Sequence, residues 1–69
     1  MPNSVYKIVE LIGSSPVSWE QAAQNAISTA SKSLRDLRIA EVCQMDIHIT
    51  EGEIECYRVK LKVSFKYEN

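Results

Sequence analysis

The chain has few of the residues that very small proteins use to reinforce a small core. It contains only two cysteines and one histidine among 69 residues, whereas a structural zinc site normally takes four closely spaced Cys or His ligands. A chain of this length buries too little apolar surface to be very stable alone. Because zinc is not expected, association with further copies of the chain is the expected source of additional stability.

An excess of charge of one sign and long hydrophobic runs are also missing. Eight basic and nine acidic residues give a net charge of −1, which argues against partners such as nucleic acid or an anionic membrane. No apolar run reaches the roughly 18 residues of a membrane span. Residues 1–4 show no basic segment leading into an apolar one. We therefore expect a soluble, cytoplasmic protein with no membrane contact.

The first third of the chain predicts a strand, a loop and the start of a helix. Residues 5–12 are rich in β-branched and aromatic side chains, and the turn-forming residues 13–16 follow them. Ser18 stands three residues before Gln21, which is the spacing of a capping box, and Glu20 suits the positive end of a helix dipole. The helix should begin here.

Apolar residues then recur at three- and four-residue steps as far as position 37, which predicts an amphipathic helix. Alanine dominates this stripe, so the helix backbone should approach its neighbour closely and the large side chains should come from the opposing layer. The stripe comprises Trp19, Ala22, Ala23, Ala26, Ile27, Ala30, Leu34 and Leu37.

Two further strands are predicted, over residues 39–50 and 54–67, with a hairpin loop at 51–53. The last strand alternates strictly, with Tyr57 and Val59 opening the apolar face and Arg58 and Lys60 opening the basic one. The helix makes the first two strands parallel and the hairpin makes the third antiparallel to both. We predict an α+β fold: one β-α-β-β domain over residues 1–69, with a three-stranded antiparallel sheet of order 1-3-2 around one helix.

The same alternation predicts that the cysteines do not pair. Cys43 is expected on the core face with Met45, and Cys56 on the opposite face with Arg58. A bond within the chain would need a bulge to reverse one of them. We expect two reduced thiols.

The residues of a catalytic centre are nearly absent, so the chain is not expected to be an enzyme. The single histidine, His48, should share a polar strand face with Asp46, which is common for a solvated edge. Trp19, at the first turn of the helix, is expected to anchor that helix to its sheet or to a neighbouring subunit rather than to stack on a ligand.

The charged residues are expected mainly to form ion pairs, and binding of a metal ion is the weaker hypothesis. The basic stripe of the third strand should pair with nearby carboxylates; it faces away from the tyrosines, so a single-stranded nucleic acid is not expected to bind. The carboxylates Glu51, Glu53 and Glu55 are weak candidates for Ca²⁺ or Mg²⁺ if symmetry brings copies together, and a solvated hairpin tip is the alternative.

Several sequence pieces together resemble the dodecin family over most of the chain. They are Val5-Tyr6-Lys7, Glu10-Leu11-Ile12-Gly13-Ser14-Ser15, Ser18-Trp19-Glu20-Gln21-Ala22-Ala23, Ala40-Glu41-Val42, Tyr57-Arg58-Val59-Lys60-Leu61 and Val63-Ser64-Phe65-Lys66. The resemblance implies a homododecamer, assembled as a hollow shell with cubic symmetry, that binds or stores a small molecule or an ion without catalysis.

The resemblance also implies where a flavin would bind. Typical dodecins stack flavin on a tryptophan just before the Ala-Glu-Val segment and hold the ring edge with a glutamine after the tyrosine of the third strand; here those positions are Ile39 and Arg58. A site for FMN or riboflavin should therefore be weakened or repurposed, since a stacked ring contributes about 1–3 kcal/mol. Gln44 is the third candidate for the same cleft. A branch of the family associated with calcium is still more similar.

Overall fold

Three strands and one helix make up residues 4–67, which are the part of the chain that the computed structural model describes. The elements are β1 (Tyr6–Ser15), α1 (Trp19–Ala30), β2 (Leu37–Thr50) and β3 (Glu53–Lys66). The strands form one sheet of order β1-β3-β2, in which both neighbouring pairs are antiparallel. The predicted topology is confirmed.

The helix begins as predicted but ends earlier. The Ser18 hydroxyl accepts the Gln21 backbone N–H at 3.0 Å, while at the other end the Ser31 hydroxyl donates to the Ser28 carbonyl at 2.9 Å. Serine hydroxyls that bond helix carbonyls compete with continuation of the helix, so α1 stops at Ala30 and Leu37 instead opens β2. No helix within residues 4–67 is long and apolar enough to cross a membrane.

Small residues on α1 pack against large residues on β3, as the alanine stripe predicted. Ala22, Ala26 and Ala30 are buried, and the opposing buried residues are Val59, Leu61 and Val63. The helix approaches β1 closely as well. A Cβ placed on Gly13 would lie 2.1 Å from the Ala22 carbonyl oxygen and 2.9 Å from the Ala26 Cβ.

That close approach corrects one prediction. Residues 13–15 were expected in a loop, but β1 continues through Ser15 and pairs with β3 as far as Ser15 opposite Tyr57. Gly13 is therefore needed as a strand residue without a side chain beneath the helix, rather than as a turn residue.

Irregularities in β2 correct another. The β2–β3 register shifts between Leu37 and Ile39, between Val42 and Gln44, and between His48 and Ile49. The middle shift leaves Cys43 without a cross-strand partner in the ladder and exposed. The prediction that Cys43 faces the core depended on regular alternation, which this bulge interrupts between positions 42 and 45. Both cysteines are free thiols.

Candidate ligand site

The face of the sheet away from α1, which we call the outer face, carries the residues singled out for ligand binding. On β3 it presents Arg58, Lys60, Lys62, Ser64 and Lys66, and the β2 partners of the first four are, in that order, Asp46, Gln44, Glu41 and Ile39. The buried residues Val59, Leu61 and Val63 alternate with them, so the predicted separation of a polar and an apolar face is confirmed.

Arg58 is held by Asp46, the residue directly opposite it on β2. The Arg58 Nε donates to Asp46 Oδ1 at 2.8 Å and Nη2 donates to Oδ2 at 2.9 Å. This fork geometry satisfies both carboxylate oxygens at once. The hydrogen bond from Arg58 lowers the pKa of the Asp46 carboxyl below its ordinary value, and the charge of Arg58 adds to the shift. The guanidinium is therefore already largely neutralised within one chain.

Gln44 lies diagonally beside this pair. It is opposite Lys60, whose Nζ is 3.5 Å from Glu10 Oε1 on β1. The prediction that the basic stripe pairs with carboxylates is thus confirmed at two positions, Arg58 and Lys60. Exposed pairs of this kind contribute little free energy, so their effect is mainly to set the charge pattern of the outer face.

Ile39 lies on the same face but far from Arg58. It pairs with Ser64, whose hydroxyl accepts the Ile39 N–H at 3.2 Å, and its side chain is 66% exposed. A cavity of about 240 Å³ on the helix side, lined by Ile27, Leu37 and Val63, also borders Ile39, because β2 is an edge strand of the sheet. Along β3, Ser64 and Arg58 are six residues apart, or about 20 Å at roughly 3.3 Å per residue. One chain therefore brings Gln44 and Arg58 together and leaves Ile39 at a distance.

The hairpin tip holds the three carboxylates that were considered for a metal. Glu55 accepts the Thr50 hydroxyl at 2.7 Å and lies 3.3 Å from His48 Nδ1. Within residues 4–67, no group of three or more His, Cys, Asp or Glu side chains is placed to hold a metal ion. A metal site at this tip would need residues from more than one chain.

Trp19 anchors the helix to the sheet, as predicted. Its ring meets the Tyr57 ring edge-on, with centroids 5.1 Å apart, and its Nε1 donates to the Asp46 carbonyl oxygen at 3.2 Å. The predictions from sequence did not include this bond to β2. Nothing in the local pattern indicates it, since the partner is a backbone atom 27 residues away.

The chain matches the family model described as Dodecin over residues 5–68. It is 48% identical to the calcium dodecin of Mycobacterium tuberculosis over 63 residues, which cover 91% of this chain and 89% of the relative. The dodecin of Thermus thermophilus is 42% identical over 64 residues, covering 93% of each chain.

Solved structures agree with the sequence matches. The dodecin of Streptomyces coelicolor superimposes with a TM-score of 0.94 at 38% identity, over 100% of this chain and 99% of that one. The crystal structure of the M. tuberculosis calcium dodecin, described as having a novel calcium-binding site, superimposes with a TM-score of 0.84 over 94% and 93% of the two chains. Sequence, topology and the geometry of the sheet agree: the chain belongs to the dodecin family.

Proposed function

We propose that this chain is a subunit of a homododecameric shell that binds or stores a small ligand without catalysis, and that its flavin-type site is weakened or repurposed. Family membership supports the assembly and the ligand-binding role. The observation that carries the rest is that Ile39 and an Asp46-bound Arg58 occupy the two positions that resemble the flavin-contacting residues of the family.

Position 39 argues for weaker flavin stacking. An exposed isoleucine offers no aromatic face to a planar ring, and base–aromatic stacking contributes about 1–3 kcal/mol per ring. That loss corresponds to roughly tenfold or more in affinity.

Position 58 argues in the same direction. A glutamine side chain can both donate to and accept from a ring edge, whereas a guanidinium only donates. The Arg58 guanidinium is also held in a fork by Asp46. An anionic ligand group would have to compete with that carboxylate, so affinity for such a group should be modest unless the ligand displaces Asp46.

The separation of Ile39 and Arg58 argues that a complete cleft takes residues from two copies. With about 20 Å between their positions on β3, one ring cannot contact both within one chain. Gln44, adjacent to the Arg58–Asp46 pair, belongs to the second part of such a cleft.

Flavin fluorescence tests the proposal directly. FMN and riboflavin titrated with the assembled protein should keep nearly all their fluorescence at micromolar concentrations. Strong quenching by the wild-type chain would contradict a weakened site.

A gain-of-function pair sharpens the test. The double variant Ile39→Trp/Arg58→Gln should quench flavin at least tenfold more tightly than the wild-type chain, because it supplies both ring contacts. The control is Ile8→Trp, which places a tryptophan at another exposed isoleucine of the outer face, 64% exposed on β1. Equal quenching by both variants would show nonspecific stacking.

A second candidate function is a structural assembly that holds Ca²⁺ or Mg²⁺ between subunits and takes no organic ligand. The 48% identity to a calcium dodecin supports it, and Glu51, Glu53 and Glu55 are the candidate ligands. Glu55 is already engaged by Thr50 and His48, so Glu51 and Glu53 are the better pair to test.

The measurement is the melting temperature in EDTA and in millimolar calcium. Calcium at about 100 times its dissociation constant should add roughly 2.7 kcal/mol of stability. The rise should disappear in Glu51→Gln/Glu53→Gln and persist in the control Glu20→Gln, which removes a carboxylate from the helix. No rise in the wild-type chain with millimolar calcium, and none with millimolar magnesium, would exclude this function.

A further inference from the structure

The single histidine of the chain lies opposite a cysteine on the neighbouring strand. His48 on β2 pairs with Cys56 on β3. Both lie on the outer face, because the adjacent pair, Ile47 and Tyr57, is on the helix side, where Tyr57 meets Trp19. The His48 side chain is 55% exposed, and Cys56 is a partly buried free thiol. The imidazole and the thiol can therefore both be reached from solvent.

The spacing of this pair suits a shared metal ion. Residues directly opposite each other on antiparallel strands have Cβ atoms about 4.5–5.5 Å apart. Zinc takes a thiolate sulfur at about 2.3 Å and an imidazole nitrogen at about 2.0–2.1 Å, so one ion between the two side chains can contact both. Thiolate and imidazole are donors that suit zinc, whereas calcium and magnesium take oxygen ligands.

Glu55 orients the imidazole for such a role. The register shift between His48 and Ile49 leaves Glu55 outside the β2–β3 ladder, and its Oε2 lies 3.3 Å from His48 Nδ1. The other carboxylate oxygen, Oε1, accepts the Thr50 hydroxyl at 2.7 Å, which holds the carboxylate in place. A carboxylate beside Nδ1 favours the proton on that nitrogen and leaves the Nε2 lone pair for a metal, as is typical of metal-binding histidines.

The charges around the pair favour a cation. Arg58 follows Cys56 by two residues on β3, but Asp46 holds its guanidinium in a fork and largely offsets its charge. Glu55 adds a negative charge beside His48. Because a thiol that ligates a metal gives up its proton, the sulfur adds a further negative charge in the complex. The immediate surroundings of the ion are therefore negative overall.

We propose that His48 Nε2 and Cys56 Sγ bind one zinc ion on the outer face of each chain, with Glu55 as a positioning residue. Binding forms a Zn–S and a Zn–N bond and releases the thiol proton to solvent. Within residues 4–67, no third His, Cys, Asp or Glu side chain is placed to join them. A site made entirely of side chains would need a second chain, so here water or a donor atom of a bound molecule completes the coordination.

Cobalt is the probe for this site, because a Co²⁺–thiolate bond gives a near-ultraviolet charge-transfer band. Co²⁺ titrated into the assembled and reduced protein should produce the band and saturate at one ion per chain. Zn²⁺ should displace the cobalt, since the filled d shell of zinc imposes no preferred geometry. Millimolar Ca²⁺ should leave the band unchanged, because a hard cation does not compete for sulfur and nitrogen donors.

Variants of the two ligands test their roles. Cys56→Ser should abolish the band, while the matched control Cys43→Ser, at an exposed thiol without a cross-strand partner in the ladder, should keep it. His48→Gln should weaken Co²⁺ binding by more than about tenfold, since even groups that only orient a ligand contribute about 10–100-fold to metal affinity.

Glu55 has a separate test, because it acts through His48. Glu55→Ala should weaken Co²⁺ binding about tenfold and still give the charge-transfer band, since the sulfur ligand remains. Glu55→Gln keeps an acceptor oxygen beside Nδ1 and should restore most of the affinity. Equal affinity in wild type and Glu55→Ala would overturn the positioning role.

Four results overturn the zinc site itself. They are no charge-transfer band at millimolar Co²⁺, equal loss of the band in the two cysteine variants, displacement of cobalt by calcium, and saturation at fewer than one ion per chain. The calcium-dependent melting of Cys56→Ser should match wild type, because the carboxylates proposed for calcium are unchanged. Failure of the zinc site and failure of the calcium function are therefore separate results.

Discussion

On the helix side of the sheet, β3 is sealed and β2 is open. Val59, Leu61 and Val63 on β3 are 2%, 1% and 1% exposed, whereas Val42 and Met45 on β2 are 52% and 50% exposed. The difference arises because α1 packs mainly on β1 and β3. The β3 half of this surface is covered by α1 within one chain, whereas within residues 4–67 the apolar side chains of β2 stay open. In the proposed assembly, further copies cover β2 and add stability that a chain of this length needs.

The largest expected effect is at the closest contact of the covered half. Gly13→Ala should destabilise the chain by more than about 3 kcal/mol or prevent folding, because the new Cβ would meet the Ala22 carbonyl oxygen at 2.1 Å. Urea unfolding at fixed protein concentration, followed by circular dichroism, measures the loss.

Gly52 is the matched control, in the open hairpin. Nothing lies within 4 Å of a Cβ built there, but its φ is +79°. Gly52→Ala should therefore cost only about 1 kcal/mol, from backbone strain. If Gly13→Ala is tolerated as well as Gly52→Ala, the helix is not in fixed contact with β1.

The next largest loss of stability is expected at Leu61 of β3, and it is compared with a change at its neighbour on the adjacent strand, β2. Leu61→Ala should cost about 3 kcal/mol of unfolding free energy, since it leaves a cavity in a packed core. Its partner Val42, on the open strand, should when changed to alanine mainly raise the concentration at which the assembly dissociates, as measured by sedimentation velocity. An unchanged assembly in Val42→Ala would mean that other copies do not cover β2.

A smaller loss of stability is expected at Trp19, which links the helix to both β3, the covered strand, and β2, the open one. Trp19→Phe keeps a ring against Tyr57 but removes the hydrogen bond to the Asp46 carbonyl. It should cost about 1 kcal/mol in urea unfolding. Trp19→Leu, which removes both contacts, should cost more; if the two variants are equal, the ring contact contributes nothing.

The smallest effect is the pH dependence of the outer-face pair. The folded pKa of Asp46 lies below its unfolded value because Arg58 hydrogen-bonds the ionised carboxylate. This stabilisation is present above the ordinary aspartate pKa of about 3.9 and is lost as pH falls through the lower folded pKa. The stability difference between wild type and Asp46→Asn should therefore shrink below about pH 4. The control Glu53→Gln accounts for the change in net charge, and a difference that persists at low pH would contradict the linkage.

Local patterns predicted most of the architecture. The capping spacing of Ser18 and Gln21 identified the helix start, and the alternation from Tyr57 onwards identified the two faces of β3, because each signal depends only on neighbouring residues. The same patterns placed the end of α1 too late and Gly13 in a loop. Those errors concern positions where a serine turn or a close contact between α1 and β1 overrides periodicity.

The candidate site was less predictable than the fold. The outer face was predicted to hold Arg58, Asp46 and His48, and the register confirms that they share it. The bulge at Cys43 and the distance of about 20 Å between Ile39 and Arg58 were not predicted. A bulge is a feature of how β2 pairs with β3, and the local sequence pattern of β2 does not reveal that pairing.

The sequence by itself therefore determined the elements, the strand order and the family of this chain. The two-residue period of strands and the 3.6-residue period of helices identify the elements, and a short hairpin leaves few ways to order three strands. Only the tertiary structure decided which charges are paired and which remain available. Arg58 is neutralised by the carboxylate opposite it, whereas Lys7 rests on an aromatic ring. The physical reason is that electrostatic pairing depends on distances across strands, which chain order alone does not specify.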